Sequence, residues 1–379
     1  MREGLSIGSV FGVRIRLHPS WFIIFALVVF SLATVGSPAG DRPLSQAARW
    51  VLAAVVASLF FASVVAHELS HALVARRRGL EVKEITLFIF GGAATLEQET
   101  PNPRTEALVA AAGPAASLVV GGSFLAVWLG LRGSDAEVVS TIAASAFWLG
   151  VSNVLLAAFN LVPGFPMDGG RLLRAALWAV TGNFVRATRI ATLVGRGFAY
   201  LIIAGGFLRA ISGEVLDGLW LIFIGWFLNQ AAEASYKRVA VEKLVEGIRV
   251  QDVMERTMPV VGPNLTLDTL VDQHLLTGQA SYYPVVHDGE LVGSVEVSQV
   301  SRVPRSDWPN TRVTDVMTRG TGLRTLSEGE PLWQAVTQFE ESSATAIPVV
   351  GGETGRRLLG LVTRDGVFRA LRARAQLGT

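Results

Sequence analysis

The sequence contains no cysteine and only five histidines in 379 residues. The first absence excludes disulfides, thiolate metal sites and a cysteine nucleophile, so any metal must be held by imidazoles and carboxylates. Charge is also scarce: 17% of residues are charged against 50% hydrophobic, and mean hydropathy is +0.44. A net charge of +2, with no cluster of basic and aromatic residues, gives no case for a nucleic-acid partner. This balance suits a polytopic membrane protein better than a soluble enzyme.

The apolar bias is uneven. Residues 19–232 hold almost all the long apolar runs, whereas 237–379 read as an ordinary soluble sequence. Six segments, 20–36, 48–75, 106–131, 138–161, 190–209 and 215–232, are long enough, or nearly so, for a bilayer. The hydrocarbon is about 30 Å thick and a helix rises about 1.5 Å per residue. The first segment has a second reading as a signal peptide, with Arg14 and Arg16 before it and Ser37-Pro38-Ala39-Gly40 after it. Five later spans that need a first partner favour the membrane reading. Basic residues sort the loops: Arg14 and Arg16, Arg76 to Arg78 with Lys83, Arg171 to Arg189, and Lys237 to Lys243 alternate with loops poor in them. Positive charge stays inside, so a multi-pass cell-membrane protein with both termini cytoplasmic is expected.

Within the second segment stands His67-Glu68-Leu69-Ser70-His71. Residues four apart share a helix face, so both imidazoles can meet one metal, and Glu68 can reach a water on it. Zn²⁺ held by two histidines and a carboxylate keeps a position open for that water. A coincidental histidine pair is the bland alternative, but ionisable groups at membrane depth are expensive and functional by default. A third ligand is sought where the fourth segment ends, in Asn160-Leu161-Val162-Pro163-Gly164-Phe165-Pro166-Met167-Asp168-Gly169-Gly170. Two prolines and three glycines cannot continue a helix, so the chain must unwind there. Asp168 is then either a ligand turned towards a neighbouring helix or the N-cap of a helix starting near Arg171. Between the second and third segments, residues 82–97 alternate like a β-hairpin turning at Gly91-Gly92. Its edge could take an extended peptide by strand addition, which makes Gly91 and Gly92 candidate substrate-binding residues.

At these residues the chain resembles the site-2 protease family of intramembrane zinc metalloproteases. The resemblance rests on His67-Glu68-x-x-His71 and Asn160-x-x-Pro163-x-x-Pro166-x-Asp168-Gly169, with Gly91-Gly92 and Gly113-Pro114 as weaker matches, over about residues 10–232. It implies His67, His71 and Asp168 as ligands of one Zn²⁺ per chain, Glu68 as general base and Asn160 near the substrate backbone. It also implies a single-span membrane protein as substrate, such as an anti-sigma factor or a membrane-tethered regulator.

The soluble half repeats itself. Val250-Gln251-Asp252-Val253-Met254 recurs as Val313-Thr314-Asp315-Val316-Met317, and Tyr283-Pro284-Val285-Val286 recurs as Ile347-Pro348-Val349-Val350. Each copy of about 63 residues resembles a cystathionine-β-synthase (CBS) domain, an α/β module that docks as a pseudo-symmetric pair and often binds adenine nucleotides. Thr363 and Asp365 are the candidate nucleotide contacts. The usual Asp of that motif is absent, with Gly366 and Gln299 in its place, and Glu296 in the first copy would repel phosphate.

The expected fold is thus a polytopic α-helical membrane protein of about six transmembrane helices and a membrane-associated β-hairpin, plus a soluble α/β CBS pair. The boundaries are 1–236 for the protease domain, 237–248 for a linker helix, and 249–310 and 311–379 for the CBS domains. The expected function is intramembrane zinc endopeptidase, modulated by the CBS pair, in a bilayer and with a homodimer left open. The alternative is a CBS-regulated metal transporter or channel, which would not need Glu68 beside its first histidine.

Overall fold

A computed structural model describes residues 4–34, 44–89, 91–96, 100–276, 280–340, 342, 344–352 and 355–377, and the chain divides into the units Met1–Val239 and Ala240–Thr379. The first unit opens with β1 (Leu5–Val10) and β2 (Val13–Leu17), then α1 (Pro19–Thr34) and α2 (Gln46–Arg77). Strands β3 (Val82–Phe88) and β4 (Gly91–Leu96) precede α3 (Pro103–Leu131), α4 (Glu137–Asn160), α5 (Asp168–Thr181), α6 (Phe184–Ile211) and α7 (Val215–Leu244). Helices α2, α3, α4, α6 and α7 are long and apolar enough to cross a membrane. The first expected span is α1, shorter at 16 residues, and positions 35 and 36 lie outside the described residues. Helix α7 continues into the expected linker as far as Leu244, so the last span and the start of the linker are one helix.

The hairpin expected at 82–97 is present as β3 and β4, with residue 97 outside the described residues. Its turn is corrected: Phe88 pairs with Gly91, so Gly91 and Gly92 open the returning strand and do not form the turn. The hairpin is also half of a four-stranded sheet in the order β1-β2-β3-β4, with β2 parallel to β3. A parallel join needs a long crossover, which α1 and α2 supply. Val13, Leu17, Ile85 and Leu87 alternate onto one face and pack against Val64, Val65, Leu69 and Ala72 of α2. That leaves another face of α2, carrying His67 and His71, free to meet α3.

The stretch between α4 and α5 is held by backbone contact with α6. A Cβ on Gly195 would stand 2.0 Å from Phe165 O, and one on Gly164 would stand 2.3 Å from Gly195 Cα. Glycine on both sides lets the irregular chain lie directly on the helix. Helix α5 begins at Asp168, three residues before the expected start, and ends at the left-handed Gly182.

The second unit contains the short helices α8 (Val250–Val253), α9 (Leu267–Leu270), α10 (Val297–Val300) and α11 (Val313–Val316), with a π-helical turn at Val271–Leu275. Helices α12 (Leu332–Glu340) and α13 (Arg364–Leu377) complete the set. Strands β5 (Tyr282–His287), β6 (Glu290–Glu296), β7 (Leu326–Ser327), β8 (Ala346–Gly351) and β9 (Arg357–Thr363) form one sheet in the order β5-β6-β9-β8-β7. The repeated Asp is a helix cap: Asp252 Oδ2 accepts from Arg249 N at 2.8 Å and Asp315 Oδ2 from Arg312 N at 2.9 Å. The openings are exchanged between copies. Val250 and Met254 lie in a core built from residues 326–367, whereas Val313 lies in the core of 261–300. Glu255 N donates to Leu361 O, and Thr318 N to Ser294 O, so each copy pairs its opening with the other's second strand.

Candidate metal centre

His67 and His71 lie one turn apart in the last third of α2 and are both buried, 4% and 6% exposed. Both rings are oriented by α3. His71 Nδ1 is 2.6 Å from Val109 O, and His67 Nδ1 is 2.9 Å from Ser117 Oγ. A carbonyl can only accept, so His71 donates from Nδ1 and, when neutral, leaves an unprotonated lone pair on Nε2. The two Nε2 atoms are 3.2 Å apart, and Asp168 Oδ2 is 3.2 Å from that of His67 and 3.1 Å from that of His71. Of the two expectations for Asp168, the N-cap one does not hold. Met167 occupies the N-cap of α5, and the Asp168 carboxylate faces the imidazoles.

The donor set fits Zn²⁺. Two donors about 2.0–2.1 Å from one tetrahedral ion lie roughly 3.3 Å apart, close to the three edges found here. Two imidazole nitrogens and a carboxylate oxygen converging in a buried place would repel one another as bare lone pairs, and a shared cation relieves all three contacts at once where a single proton relieves one. The room for it comes from Gly113. A Cβ there would stand 2.1 Å from His71 Nε2 and 2.5 Å from that of His67, so any other residue would crowd the donors. Val109, Gly113 and Ser117 recur every fourth residue, and this single stripe of α3 orients both rings and keeps the space beside them open.

Glu68 is half-buried on the turn between the two histidines, and strand β4 passes beside it. A Cβ on Gly92 would come within 2.4 Å of Glu68 Cγ, so the hairpin glycine allows backbone to run against the carboxylate. Gly91, at φ 130°, only opens that strand. Asn160 closes α4, where its amide donates to Leu156 O at 2.9 Å. In the second unit, Thr363 Oγ1 accepts from Gly366 N at 3.0 Å and caps its own helix, while Asp365 is exposed. Glu255 Oε1 already receives Arg369 Nη2 at 2.9 Å, and Thr363 Oγ1 lies 3.5 Å away.

Val109 and Ser117 belong to no motif in the sequence, and Gly113 stands there only in a weak match. The available signal was the four-residue spacing of small and polar positions inside an apolar span.

The peptidase family M50 model matches residues 55–141 and 132–204, and the CBS domain model matches 250–305 and 313–373. The protein sll0528 of Synechocystis sp., named as a zinc metalloprotease, is 34% identical over 99% of this chain and 97% of its own length. The chain belongs to peptidase family M50. The M50 chain is equally similar to Rip3 of Mycobacterium tuberculosis, also named as a zinc metalloprotease, at 34% identity over 98% of this chain and 93% of that protein. A solved site-2 protease from Methanocaldococcus jannaschii is 26% identical, covering 62% of this chain and 95% of that one, at a TM-score of 0.43. By its family, its relatives and its apolar helices, this chain is a zinc metalloprotease of the site-2 protease type with a CBS pair, and a multi-pass membrane protein.

Proposed function

We propose that His67, His71 and Asp168 hold one zinc ion per chain and that Glu68 is the general base of an intramembrane endopeptidase. The observation that carries this reading is the approach of two Nε2 atoms and one Oδ2 to within 3.2 Å of one another, beside the missing side chain of Gly113. When bound, the ion supplies Lewis-acid polarisation of a water and of the scissile carbonyl. Glu68 takes a proton from the attacking water as its oxygen adds to the carbonyl carbon. The same carboxyl then passes the proton to the leaving amine nitrogen and returns to its charged form. Ser117 and Val109 keep both rings in one orientation, so none of this requires rearranging the donors.

A helical substrate hides its carbonyls in its own hydrogen bonds, so a spanning segment must first be unwound. Strand β4 is the outer strand of its sheet and runs beside Glu68 at Gly92, where an added extended peptide would bring a carbonyl close to the base. Gly91 and Gly92 thus belong to substrate binding, and Asn160 meets the substrate backbone only if its amide leaves Leu156 O. The substrate is a single-span membrane protein such as an anti-sigma factor or a membrane-tethered regulator. The basic loops put both termini in the cytoplasm, and the CBS pair modulates access from that side. An adenine nucleotide at Thr363 and Asp365 is disfavoured, because Glu255 already engages Arg369 there. All four catalytic groups come from one chain, so the reading requires no homodimer.

Two substitutions test the reading. Glu68→Gln should abolish cleavage of a spanning model substrate while zinc content stays at the parent's level, because the amide removes proton transfer and not a ligand. Asp168→Ala should lose both zinc and cleavage. Full zinc in Asp168→Ala would move the third ligand elsewhere, and substantial cleavage by Glu68→Gln would remove the base. A transporter would keep its transport in Glu68→Gln.

A further inference from the structure

Glu106 is fully buried on the stripe of α3 that orients both imidazoles, one turn before Val109. It is the meeting point of α3 and α5. Its Oε1 accepts from Arg174 Nε at 2.9 Å and closely from Arg174 Nη2, a two-pronged grip, and Arg171 Nε lies 3.7 Å from the same oxygen. Its Oε2 accepts from Thr100 Oγ1 at 2.9 Å. The Arg174 guanidinium also lies over the rings of Phe165 and Phe184, at 5.0 and 4.5 Å, in the stretch before α5 and at the start of α6. Asp168, Arg171 and Arg174 follow one another every third residue along α5, so they lie along one side of it.

We infer that Glu106, through Arg174 and Arg171, is a positioning residue that sets where α5 stands along α3 and so holds the Asp168 carboxylate at the two imidazoles. Two imidazoles from α2 and a carboxylate from α5 must agree to within a few tenths of an ångström to share an ion. Both are referenced to α3: the rings by Val109 O and Ser117 Oγ, and α5 by Glu106. A hydrophobic contact could slide along the helices, but two guanidinium nitrogens sharing Oε1 of a carboxylate whose Oε2 is held by Thr100 tie α5 to one point on α3. Glu106 is therefore more than a satisfied buried charge. It completes the alignment of the third ligand with the other two.

The inference rests on the ligand assignment above, and the measurement separates the two. Purified full-length protein, stripped of metal, is titrated with Co²⁺ while its visible spectrum and binding midpoint are recorded, with melting followed in the metal-free state. The parent should bind with a tetrahedral spectrum and Asp168→Ala should not; if the parent fails, the ligand assignment falls. Glu106→Gln should bind at least about tenfold more weakly with an altered spectrum, because the amide oxygen can still accept from Arg174 but no longer balances its charge, which slackens the tie between α3 and α5. Arg174→Lys, which keeps the charge but loses the fork, should show an intermediate loss and keeps the test open if Glu106→Gln does not fold. Gly206→Ala, where a Cβ would meet Gly218 O at 2.7 Å, is the control for destabilisation alone and should melt lower yet bind like the parent. Parental midpoint and spectrum in Glu106→Gln, or in Arg174→Lys if only that variant folds, overturns the inference while leaving the ligands in place. So does an equal loss in Gly206→Ala.

Discussion

At the level of single residues, the centre depends as much on an absent side chain as on those present. Gly113→Ala adds one methyl group where the contacts to the two Nε2 atoms would be 2.1 and 2.5 Å, well inside van der Waals distance. The same change favours the helix by roughly 1 kcal/mol in intrinsic propensity, so α3 itself has no reason to unfold. The variant should therefore keep its helical content and lose zinc at least about tenfold, together with cleavage. Zinc analysis beside circular dichroism decides it, and a fully loaded, active Gly113→Ala would show that the donors meet elsewhere. The histidine pair was legible in the sequence because a helix brings every fourth residue to one face, and that rule needs no tertiary knowledge. Gly113 was not, because a glycine in an apolar span ordinarily signals helix packing, and its other use appears only once α3 lies against α2.

Among the elements, the irregular stretch after α4 is where sequence and structure agree most usefully. Pro163, Gly164 and Pro166 announced that the helix must end. They did not say what would hold the unwound chain, because its support is Gly195 on a helix some thirty residues later. Gly195→Ala would drive a methyl to 2.0 Å from Phe165 O, whereas Gly197→Ala on the same helix meets nothing within 4 Å. The first should cost about 1–3 kcal/mol through overpacking and loosen zinc by moving the start of α5, and the second should be neutral or slightly stabilising. Thermal melting and zinc titration of the pair measure the difference, and equal behaviour of the two variants would refute the support. The hairpin 82–97 was readable from its alternation, but its parallel partner was not recognised. Val13, Ile15 and Leu17 alternate with Arg14 and Arg16, but the same two arginines also suit the positive flank of a span, which masks the strand. The repeat of the second unit was plain, whereas the exchange of α8 and α11 between copies was hidden, since a repeat states what recurs and not which copy it packs on.

At the scale of the molecule, the two units keep separate cores among the described residues. Every buried cluster of the first draws on residues before 240, and every one of the second on residues after it. The end of α7 and the turn after it belong with the second: Val241, Val245 and Ile248 pack in the core of 326–367. A cut meant to spare the membrane unit therefore falls after Val239, since a later one would strand those apolar residues in water. The shortened protein should keep zinc, because His67, Glu68, His71, Asp168 and the α3 stripe all precede the cut. It should still cleave a spanning substrate, at a changed rate if the CBS pair governs access. Added ATP should change neither the full-length nor the shortened rate, because a ligand shifts an equilibrium only by binding one state better. Here Arg369 is already engaged by Glu255, and Gln299 donates to Thr318 Oγ1 at 2.7 Å in the corresponding place of the other copy. The decisive measurement is cleavage by both proteins with and without ATP. Four equal rates would leave the CBS pair without a regulatory role towards this substrate. An ATP effect confined to the full-length chain would mean that the nucleotide displaces Glu255, and Glu255→Gln should then strengthen the effect.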